Sequence, residues 1–524
     1  GAGGGESRHG MEDSVLEFGL RWGAAGSATL LLAQGVCSLV LGEHVAEERE
    51  ANEDGSLIWR EEAGVTKLVP KFPARSGAEA SERLAKYTMR EVSGHNTRGD
   101  MWIVVDGLVY DVTRFVDKHP GGPLPIENMA GKDCTDAFAN YHAARVYKNM
   151  LPAFLIGEAS DYKEGICPHV MDFRAVRQEL LRRGLFETDP RFYAKMGTWY
   201  VFLFSSALHL SLYGQWSTRL AGAVLMGVFW QQLAGLGHDL GHSGVTHVFW
   251  KDHLIGSVLA SLMGISTCWW KRNHNTHHIV CNSIENDPDI QHMPICAVTP
   301  EVWSKPYWST YYEKWVAMDS FGHWAVSHQD RLYLLVMSLA RFNLYVQSVA
   351  HLLSKNAMHY RKTELIAFIV YFSWLSAVVL SQKYVIVGVL WLLISHATSG
   401  LLHVQITTSH WAMETYHGRA YNDEKDEWYM TQLKTTMNID THPWLDWVHI
   451  GLQFQIEHHI YPRLPRHSLR KARVLVKAVC EKHGIGYHEP GFIEAVGETL
   501  QALAAAAKHA RVSKRGKSGF YESA

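Results

Sequence analysis

Histidine is the residue type whose number and spacing could do chemistry in this chain. The 524 residues include 31 histidines, which outnumber the 22 tyrosines, the 19 tryptophans and the 19 phenylalanines. Imidazole is the commonest metal ligand in proteins, so metal or haem chemistry is the first class of function to consider. Three clusters carry the pattern: HDLGH at 238–242, HNTHH at 274–278 and QIEHH at 455–459.

The spacing inside these clusters predicts ligands for more than one metal ion. His238 and His242 are four residues apart, which places both rings on one face of a helix. A single pair at this spacing arises by chance in a histidine-rich chain, whereas three clusters on one side of a fold indicate a site. Their seven imidazoles exceed the four ligands that one zinc ion takes, so we expect two metal ions. A nitrogen-rich site with room for oxygen suits iron.

A fourth histidine pattern, earlier in the chain, indicates a different chemistry. The HPGG motif at 119–122 is followed 23 positions later by His142. Two histidines on separate short segments, beside glycines that let the backbone approach a flat cofactor, can supply both axial ligands of a haem. An iron held by two imidazoles has no open position, so it transfers electrons and binds no substrate. We therefore predict His119 and His142 as haem ligands in an electron relay.

Composition limits the scaffold that positions these residues. At roughly 150 residues per domain, the length predicts more than one folded unit. The 50 basic and 52 acidic side chains give a net charge of -2, so the chain has no basic field of the kind that binds nucleic acid. The seven cysteines form no CxxC pair, which argues against a disulfide framework and a zinc knuckle and favours a reducing, cytosol-facing environment.

Apolar windows predict a membrane domain. Four are long enough to cross a hydrocarbon core of roughly 30 Å: residues 198–214, 220–237, 365–380 and 385–404. The windows at 254–268 and 332–353 are short or interrupted by polar residues, so we expect them to be interfacial or buried. Four spans place the chain before, between and after the two pairs on one side, where all three histidine clusters fall. Basic residues on that side predict that it is the cytosol: Lys271, Arg272, Arg361, Lys362, Arg463, Arg466, Arg470 and Lys471.

The order of these features divides the chain into segments. We expect an N-terminal extension (1–85), a compact haem domain (86–158), a linker (159–196), a membrane domain (197–480) and a C-terminal tail (481–524). Asp106-Gly107 joins two β-prone runs and predicts a hairpin in the haem domain. Residues 22–42 carry no charge, and they are either a targeting segment or part of an unstructured extension.

These motifs resemble known families. The HPGG motif, His142 and the run GKDCTDAF at 131–138 resemble the cytochrome b5 domain over residues 86–158. With the three histidine clusters around four spans, the chain from 86 to about 477 resembles the front-end desaturases. These membrane di-iron enzymes use O2 to place a double bond between an existing one and the carboxyl end of an acyl chain, or at the corresponding position of a sphingoid base. The resemblance implies an α+β cytochrome b5-like haem domain followed by an all-α four-span membrane di-iron desaturase domain.

The resemblance also implies roles for individual residues. The iron ligands would be His238, His242, His274, His277, His278, His410, His458 and His459. His410, in TSHW at 408–411, matches a further ligand of membrane desaturases, and His403 is the alternative to it. Gln455, whose glutamine is a hallmark of the family, would be a ligand or an outer-shell partner. Asp239, Asp287 and Asp289 would either accept hydrogen bonds from ligand imidazoles or be solvated loop carboxylates.

Cofactors, partners and location follow from the same resemblance. The cofactors would be haem b, two iron ions and O2, with electrons from NADH through cytochrome b5 reductase, and the substrate a lipid in the bilayer. We expect an endoplasmic reticulum membrane protein with the haem domain and the histidine clusters in the cytosol, a plastid membrane being the alternative.

The substrate is less well determined by the resemblance. Segments 443–449 and 461–466 resemble plant and fungal Δ8 sphingolipid desaturases, which favours a Δ8 sphingoid base. Plant Δ6 acyl desaturases share these segments, so a Δ6, Δ5 or Δ8 polyunsaturated fatty acyl chain is the alternative. Two remoter alternatives are a lipid hydroxylase, whose iron site rebounds oxygen to the substrate, and a membrane-anchored b5-type electron carrier.

Overall fold

The computed structural model describes residues 57–62, 65–70, 84–162, 167–304, 306–354, 358–421 and 427–516. The uncharged window at 22–42 and most of the N-terminal extension lie outside these residues. Within the extension, strands β1 (Leu57–Glu62) and β2 (Val65–Pro70) pair antiparallel.

A five-stranded sheet and four short helices form the haem domain. Its strands are β3 (Ala85–Tyr87), β4 (Asn96–Thr97), β5 (Asp100–Val105), β6 (Leu108–Asp111) and β7 (Leu155–Ala159), in the order β3-β7-β6-β5-β4. Its helices are α1 (Met89–Gly94), α2 (Pro123–Met129), α3 (Thr135–Tyr141) and α4 (Ala144–Asn149). The predicted hairpin is confirmed: Asp106 and Gly107 both have positive φ, at 51° and 77°, as a tight turn with the twist of the flanking strands requires.

The predicted linker contains a packed helix. Helix α5 (Pro168–Arg182) buries Val170, Phe173 and Leu180 in a core shared with residues of both the haem domain and the membrane domain. The Tyr461 hydroxyl donates to the Phe173 carbonyl at 2.8 Å. The helix therefore ties the two domains together.

Helices make up nearly all of the membrane domain. The first are α6 (Pro190–Leu212), α7 (Trp216–Gly241), α8 (Phe249–Met263), α9 (Thr267–Ile279) and α10 (Glu301–Ser304). A short hairpin of β8 (Tyr307–Ser309) and β9 (Lys314–Val316) precedes α11 (Ser320–Leu353), α12 (Arg361–Leu380), α13 (Val385–Ser399) and α14 (Leu401–Thr408). The chain continues through α15 (Trp428–Thr435), α16 (Asp446–His449), α17 (Gln455–Ile460), α18 (Arg466–His483) and α19 (Phe492–Gly516).

Four helices among the described residues are long and apolar enough to cross a membrane. They are Trp216–Gly241, Ser320–Leu353, Arg361–Leu380 and Val385–Thr408, and the bent pair of α8 and α9 would make a fifth if it is one broken span. The number agrees with the predicted four spans, but one member differs. The window at 198–214 lies in α6, which is not among these four because polar residues lower its hydropathy, whereas α11 meets the test of length and composition.

The window at 332–353, which we expect to be interfacial or buried, lies in α11, and its most polar residue faces the protein interior. Arg341 is fully buried, donates to Tyr345 Oη at 2.8 Å and to the Met263 carbonyl at 2.6 Å, and lies 4.4 Å from the centre of the Trp230 ring. Leu335 and Val346 are exposed on the outer face of the helix. The charge is therefore satisfied inside the protein while an apolar surface is left for lipid.

The predicted C-terminal tail also packs against the membrane domain. Leu503 and Ala510 of α19 are buried against residues of α11. The Gln329 side chain in α11 donates to the Leu503 carbonyl at 2.8 Å. The described part of this segment is therefore an element of the fold.

Candidate functional site

The three histidine clusters and His410 come together in one buried region. His238 and His242 end α7, the second cluster lies in α9, the third in α17, and His410 follows α14. The ring centres of His238 and His458 are 4.3 Å apart, and those of His277 and His410 are 4.7 Å apart. The histidines of α7 and α14 lie at the carboxyl ends of these helices. Because these histidines come together, the two carboxyl ends lie on the same side of the domain.

The rings form two groups with the geometry of metal sites. In each group the ligand atoms all lie within 4.8 Å of one another: His238, His242, His274 and His458 in the first, and His277, Cys281, His410 and His459 in the second. His278 lies between the groups. Its Nε2 is 3.0 Å from the Nε2 atoms of His274 and of His458. Two nitrogens that share one metal ion at about 2 Å are separated by about 3 Å, so the rings fit an ion between them.

Polar partners behind the rings orient three of them. Asp287 accepts a hydrogen bond from Nδ1 of His277 at 2.9 Å, and Gln432 Oε1 accepts one from Nδ1 of His459 at 3.0 Å. Nδ1 of His410 lies 3.2 Å from the Thr435 carbonyl. A partner on Nδ1 leaves Nε2 as the lone-pair nitrogen that faces inward, which is the arrangement of metal-binding imidazoles.

Several inward atoms have no partner within the described part of the chain. They are Nε2 of His238, His242 and His459 and Oε1 of Gln455, all buried. Buried polar atoms are normally satisfied, so each of these indicates a missing partner. Eight imidazoles and one amide oxygen form a nitrogen-rich donor set with room for oxygen, which fits iron.

The environment keeps three of the imidazoles outside the spans neutral. Burial and the neighbouring rings hold the pKa of His410, His458 and His459 well below the usual value for histidine. Neutral imidazole is the form that binds a metal ion, so these side chains bind without first losing a proton at neutral pH.

The predicted carboxylates Asp239, Asp287 and Asp289 and the alternative ligand His403 differ in their contacts near the site. Asp239 accepts from the Tyr193 hydroxyl at 2.9 Å and pairs with Arg466 Nε at 3.0 Å, whereas His238 Nδ1 is 3.9 Å away. Asp289 is 3.7 Å from Nδ1 of His277. The alternative ligand His403 belongs to neither group. The three carboxylates are therefore not equivalent, and Asp287 has the direct hydrogen bond to an imidazole of the site.

Sequence reasoning missed two neighbours of the second group. Cys281 Sγ lies 3.4 Å from His410 Nδ1 and 4.0 Å from His277 Nε2. Its position four residues after His277, just past the end of α9, is a spacing that could have identified it. Gln432, the partner of His459, had no such signal because it is distant in sequence from every cluster.

A cavity of about 640 Å³ reaches the histidines from the apolar part of the domain. Its walls include Leu259, Val336, Leu344 and Ile406, and it meets the site at residues of both groups. A mainly apolar cavity of this size fits a hydrocarbon chain, which offers no hydrogen-bonding group of its own.

The haem domain places its two predicted ligands on opposite sides of a second cavity. The ring centres of His119 and His142 are 6.1 Å apart, which leaves room for one metal ion at about 2 Å from each inner nitrogen. Nδ1 of His119 donates to the Gly122 carbonyl at 2.7 Å and Nδ1 of His142 to the Phe138 carbonyl at 3.1 Å. The cavity, of about 420 Å³, is lined mainly by apolar side chains. These residues fit a haem held by two axial imidazoles.

The haem cavity and the histidine groups share a wall. His242, a member of the first group, also lines the haem cavity. In α9, the Asn275 side chain donates to the Gly121 carbonyl of the HPGG motif at 3.3 Å. The ring of Tyr141, beside His142, meets the ring of His278 edge to face at 6.2 Å between centres.

Comparison with known proteins identifies a family for each of the two domains. The fatty acid desaturase family matches residues 214–491, and the cytochrome b5-like haem/steroid binding domain matches residues 88–160. A Δ8 fatty-acid desaturase of Borago officinalis is 36% identical, covering 82% of this chain and 96% of the relative. An acyl-lipid (9-3)-desaturase of the same plant is 34% identical, covering 82% and 95%. A Δ8-(E)-sphingolipid desaturase of Komagataella phaffii is 30% identical, covering 80% and 93%.

The matched ranges contain both haem-ligand candidates and all eight clustered histidines. The haem domain implies haem, the histidine-rich domain implies iron, and the apolar helices imply an integral membrane protein with a lipid substrate. The chain belongs to the fatty acid desaturase family, as a front-end member with its own cytochrome b5 domain: an oxidoreductase that uses O2 to desaturate a lipid.

Proposed function

We propose that the two histidine groups hold two iron ions and form the reaction centre of this desaturase. His238, His242, His274 and His458 bind the first ion, His277, His410 and His459 bind the second, and His278 lies between them. The convergence of eight imidazoles at the end of an apolar cavity is the observation that carries this proposal. Iron with O2 supplies the oxidising power to remove hydrogen from unactivated methylenes, which no side chain can do.

The surrounding residues orient the ligands and hold the lipid. Asp287 and Gln432 fix the rings of His277 and His459, so the inward nitrogens stay directed at the metal positions. The apolar walls exclude water and align the chain, so that one pair of methylenes lies against the histidines. The unpartnered Oε1 of Gln455 lines the same cavity and is suited to bind an ion or to position the chain.

We propose that electrons reach the iron from NADH through cytochrome b5 reductase and the fused haem. His242 belongs to the first metal group and also lines the haem cavity, and α9, which carries clustered histidines, contacts the HPGG motif, so the last transfer is short. The basic residues near the site support a cytosolic orientation in the endoplasmic reticulum, where the reductase would have access to the haem domain.

We propose a Δ8 sphingoid base as the substrate. His403 lines the lipid cavity, is buried, and neither ring nitrogen has a partner among the described residues. A buried imidazole of this kind needs a hydrogen-bonding group from elsewhere. A sphingoid base carries hydroxyl groups a few carbons from C8, whereas the hydrocarbon part of an acyl chain carries none. The similarity to the sphingolipid desaturase of Komagataella phaffii supports the same substrate.

A polyunsaturated fatty acyl chain is the second candidate. The acyl-lipid (9-3)-desaturase of Borago officinalis is about as similar to this chain as that plant's Δ8 enzyme, at 34% against 36% identity. Overall identity therefore does not separate the two substrates.

The test is expression in a yeast that lacks desaturases of this kind, with and without supplied polyunsaturated acids. Fatty acid methyl esters and long-chain bases are then analysed by mass spectrometry. A new Δ8 double bond in the long-chain bases supports the proposal, and a product in the fatty acyl pool alone overturns it.

A His458→Ala variant that keeps its haem spectrum should form no product. If wild type gives a hydroxylated lipid or no product, the hydroxylase or the electron carrier replaces the proposal.

A further inference from the structure

The haem cavity has an uneven distribution of charge. Three basic side chains line it, Arg145 from the haem domain and Lys271 and Arg463 from the membrane domain. Among the described residues that line the cavity, none is aspartate or glutamate. An apolar cavity that gathers several positive charges and no negative ones is suited to a flat apolar ligand with an anionic edge.

Lys271 is the most informative of the three because it is buried. Its Nζ donates to the Gly241 carbonyl at 2.5 Å and lies 5.0 Å from the centre of the Phe249 ring. No carboxylate of the described residues forms an ion pair with it within 4.0 Å. The nearby Asp252 accepts instead from the Thr246 backbone amide at 2.9 Å. Asp252 therefore acts on the lysine only from a distance. A buried ammonium without a direct ion pair is costly, so an anion in the cavity would stabilise it.

Helix α9 brings this lysine to the haem. Lys271 and Asn275 are one helical turn apart, and Asn275 contacts the Gly121 carbonyl next to the axial ligand His119. The approach is close: a Cβ at Gly121 would lie 2.8 Å from His119 Cε1 and 3.5 Å from Asn275 Nδ2. The part of the haem cavity beside His119 is therefore bordered by a membrane-domain helix.

We propose that the haem is bound by both domains, with its propionate groups held by Lys271 and Arg463 of the membrane domain. Haem carries two propionate carboxylates on one edge, and these are anions that can pair with the basic side chains of the cavity. The axial imidazoles come from the haem domain and the propionate contacts from the membrane domain. The haem would then join the two domains at the cavity wall that includes His242 of the first metal group.

The consequence is a haem whose retention depends on a lysine outside the haem domain. The axial ligands and the apolar walls are unchanged in a Lys271→Gln variant, but one propionate loses its counter-charge. Haem should therefore leave this variant faster, by about fivefold. Lys271→Arg keeps the charge and should keep the haem. Lys86→Gln removes the same charge from an exposed site of the haem domain and should change nothing.

The test measures haem transfer from the detergent-solubilised full-length protein to excess apomyoglobin, followed by absorbance. Each protein is reloaded either with haem or with haem dimethyl ester, whose propionates are neutral. With haem, we expect Lys271→Gln to release it about fivefold faster than wild type. With the dimethyl ester, the two proteins should release it at equal rates, because the partner of the lysine is absent.

Two results would overturn the proposal. One is equal release of ordinary haem from Lys271→Gln and wild type. The other is the same fivefold difference with both haems, which would mean that the lysine supports the fold and not a propionate. If the buried lysine variant does not accumulate, Arg463→Gln is compared with wild type under the same criteria. The measurement needs neither the iron ions of the histidine groups nor a lipid substrate, so it is independent of desaturase activity.

Discussion

The haem cavity and the histidine groups use the same ring in opposite ways. In the haem cavity, two imidazoles face each other across one metal position, and backbone carbonyls hold both. In the histidine groups, eight imidazoles surround two positions and side chains such as Asp287 and Gln432 hold them. A relay needs a closed coordination sphere and one stable geometry. A reaction centre needs open positions, an oriented donor set and access for a lipid.

The largest expected effect separates the two sites completely. His458→Ala removes a member of the first metal group. We therefore expect product formation to fall to background and the non-haem iron content to decrease while the haem spectrum stays normal. His142→Ala removes one of the two predicted axial ligands, so we expect loss of the six-coordinate haem spectrum and of product while the non-haem iron is retained. Iron analysis, haem spectra and lipid analysis of the same preparations check this. Loss of haem in His458→Ala would contradict the separation.

A smaller effect on iron binding and activity is expected for Asp287, which holds the His277 ring of the second group. Asp287→Asn keeps the shape but weakens the hydrogen bond to His277, so we expect iron affinity or activity to fall by about 10- to 100-fold. Asp239→Asn is the matched control. Asp239 pairs with Arg466 and Tyr193, so its loss should lower the melting temperature with less effect on iron affinity. Equal loss of iron affinity in both variants would show that these carboxylates do not differ in role.

These two carboxylates show how far sequence reasoning reaches. The clusters are recognisable because helical spacing sets ring positions locally, and the haem hairpin because Asp106-Gly107 sets its own turn. Asp239 lies inside a cluster and Asp287 outside one, yet Asp287 contacts the imidazole. The partner behind each ring is set by packing between helices distant in sequence. Arg341 illustrates the same limit, because hydropathy cannot tell whether a charge in an apolar helix faces lipid or protein.

The lipid cavity offers a third and smaller effect. His403→Leu removes the unpartnered imidazole without changing either metal group, so we expect desaturation of sphingoid bases to fall about tenfold. His396→Leu is the control because His396 already contacts the Leu392 carbonyl at 2.8 Å and does not line the cavity. Product ratios in cells fed both lipid classes check the selectivity. An equal fall for acyl and sphingoid substrates would show that His403 does not recognise a hydroxyl group.

The smallest effect concerns the contact that holds the two sites together. Arg174 of α5 forms a bidentate ion pair with Asp136 of the haem domain at 2.7 and 2.8 Å, and Tyr429 of the membrane domain also donates to Asp136. Both charged side chains are largely buried, so removing one leaves the other poorly compensated.

We therefore expect Arg174→Gln to lower the free energy of unfolding by about 2 kcal/mol. We also expect electron transfer from the reduced haem to the histidine groups, measured as haem reoxidation in the presence of substrate and O2, to slow about threefold. Stopped-flow absorbance measures the reoxidation, and thermal unfolding measures the stability. Arg182→Gln, on the same helix, breaks an ion pair with Glu179 whose arginine is 73% exposed, so both quantities should stay at wild-type values. If Arg174→Gln loses stability while its haem is reoxidised at the wild-type rate, the Arg174–Asp136 pair supports the fold without setting the distance between relay and reaction centre.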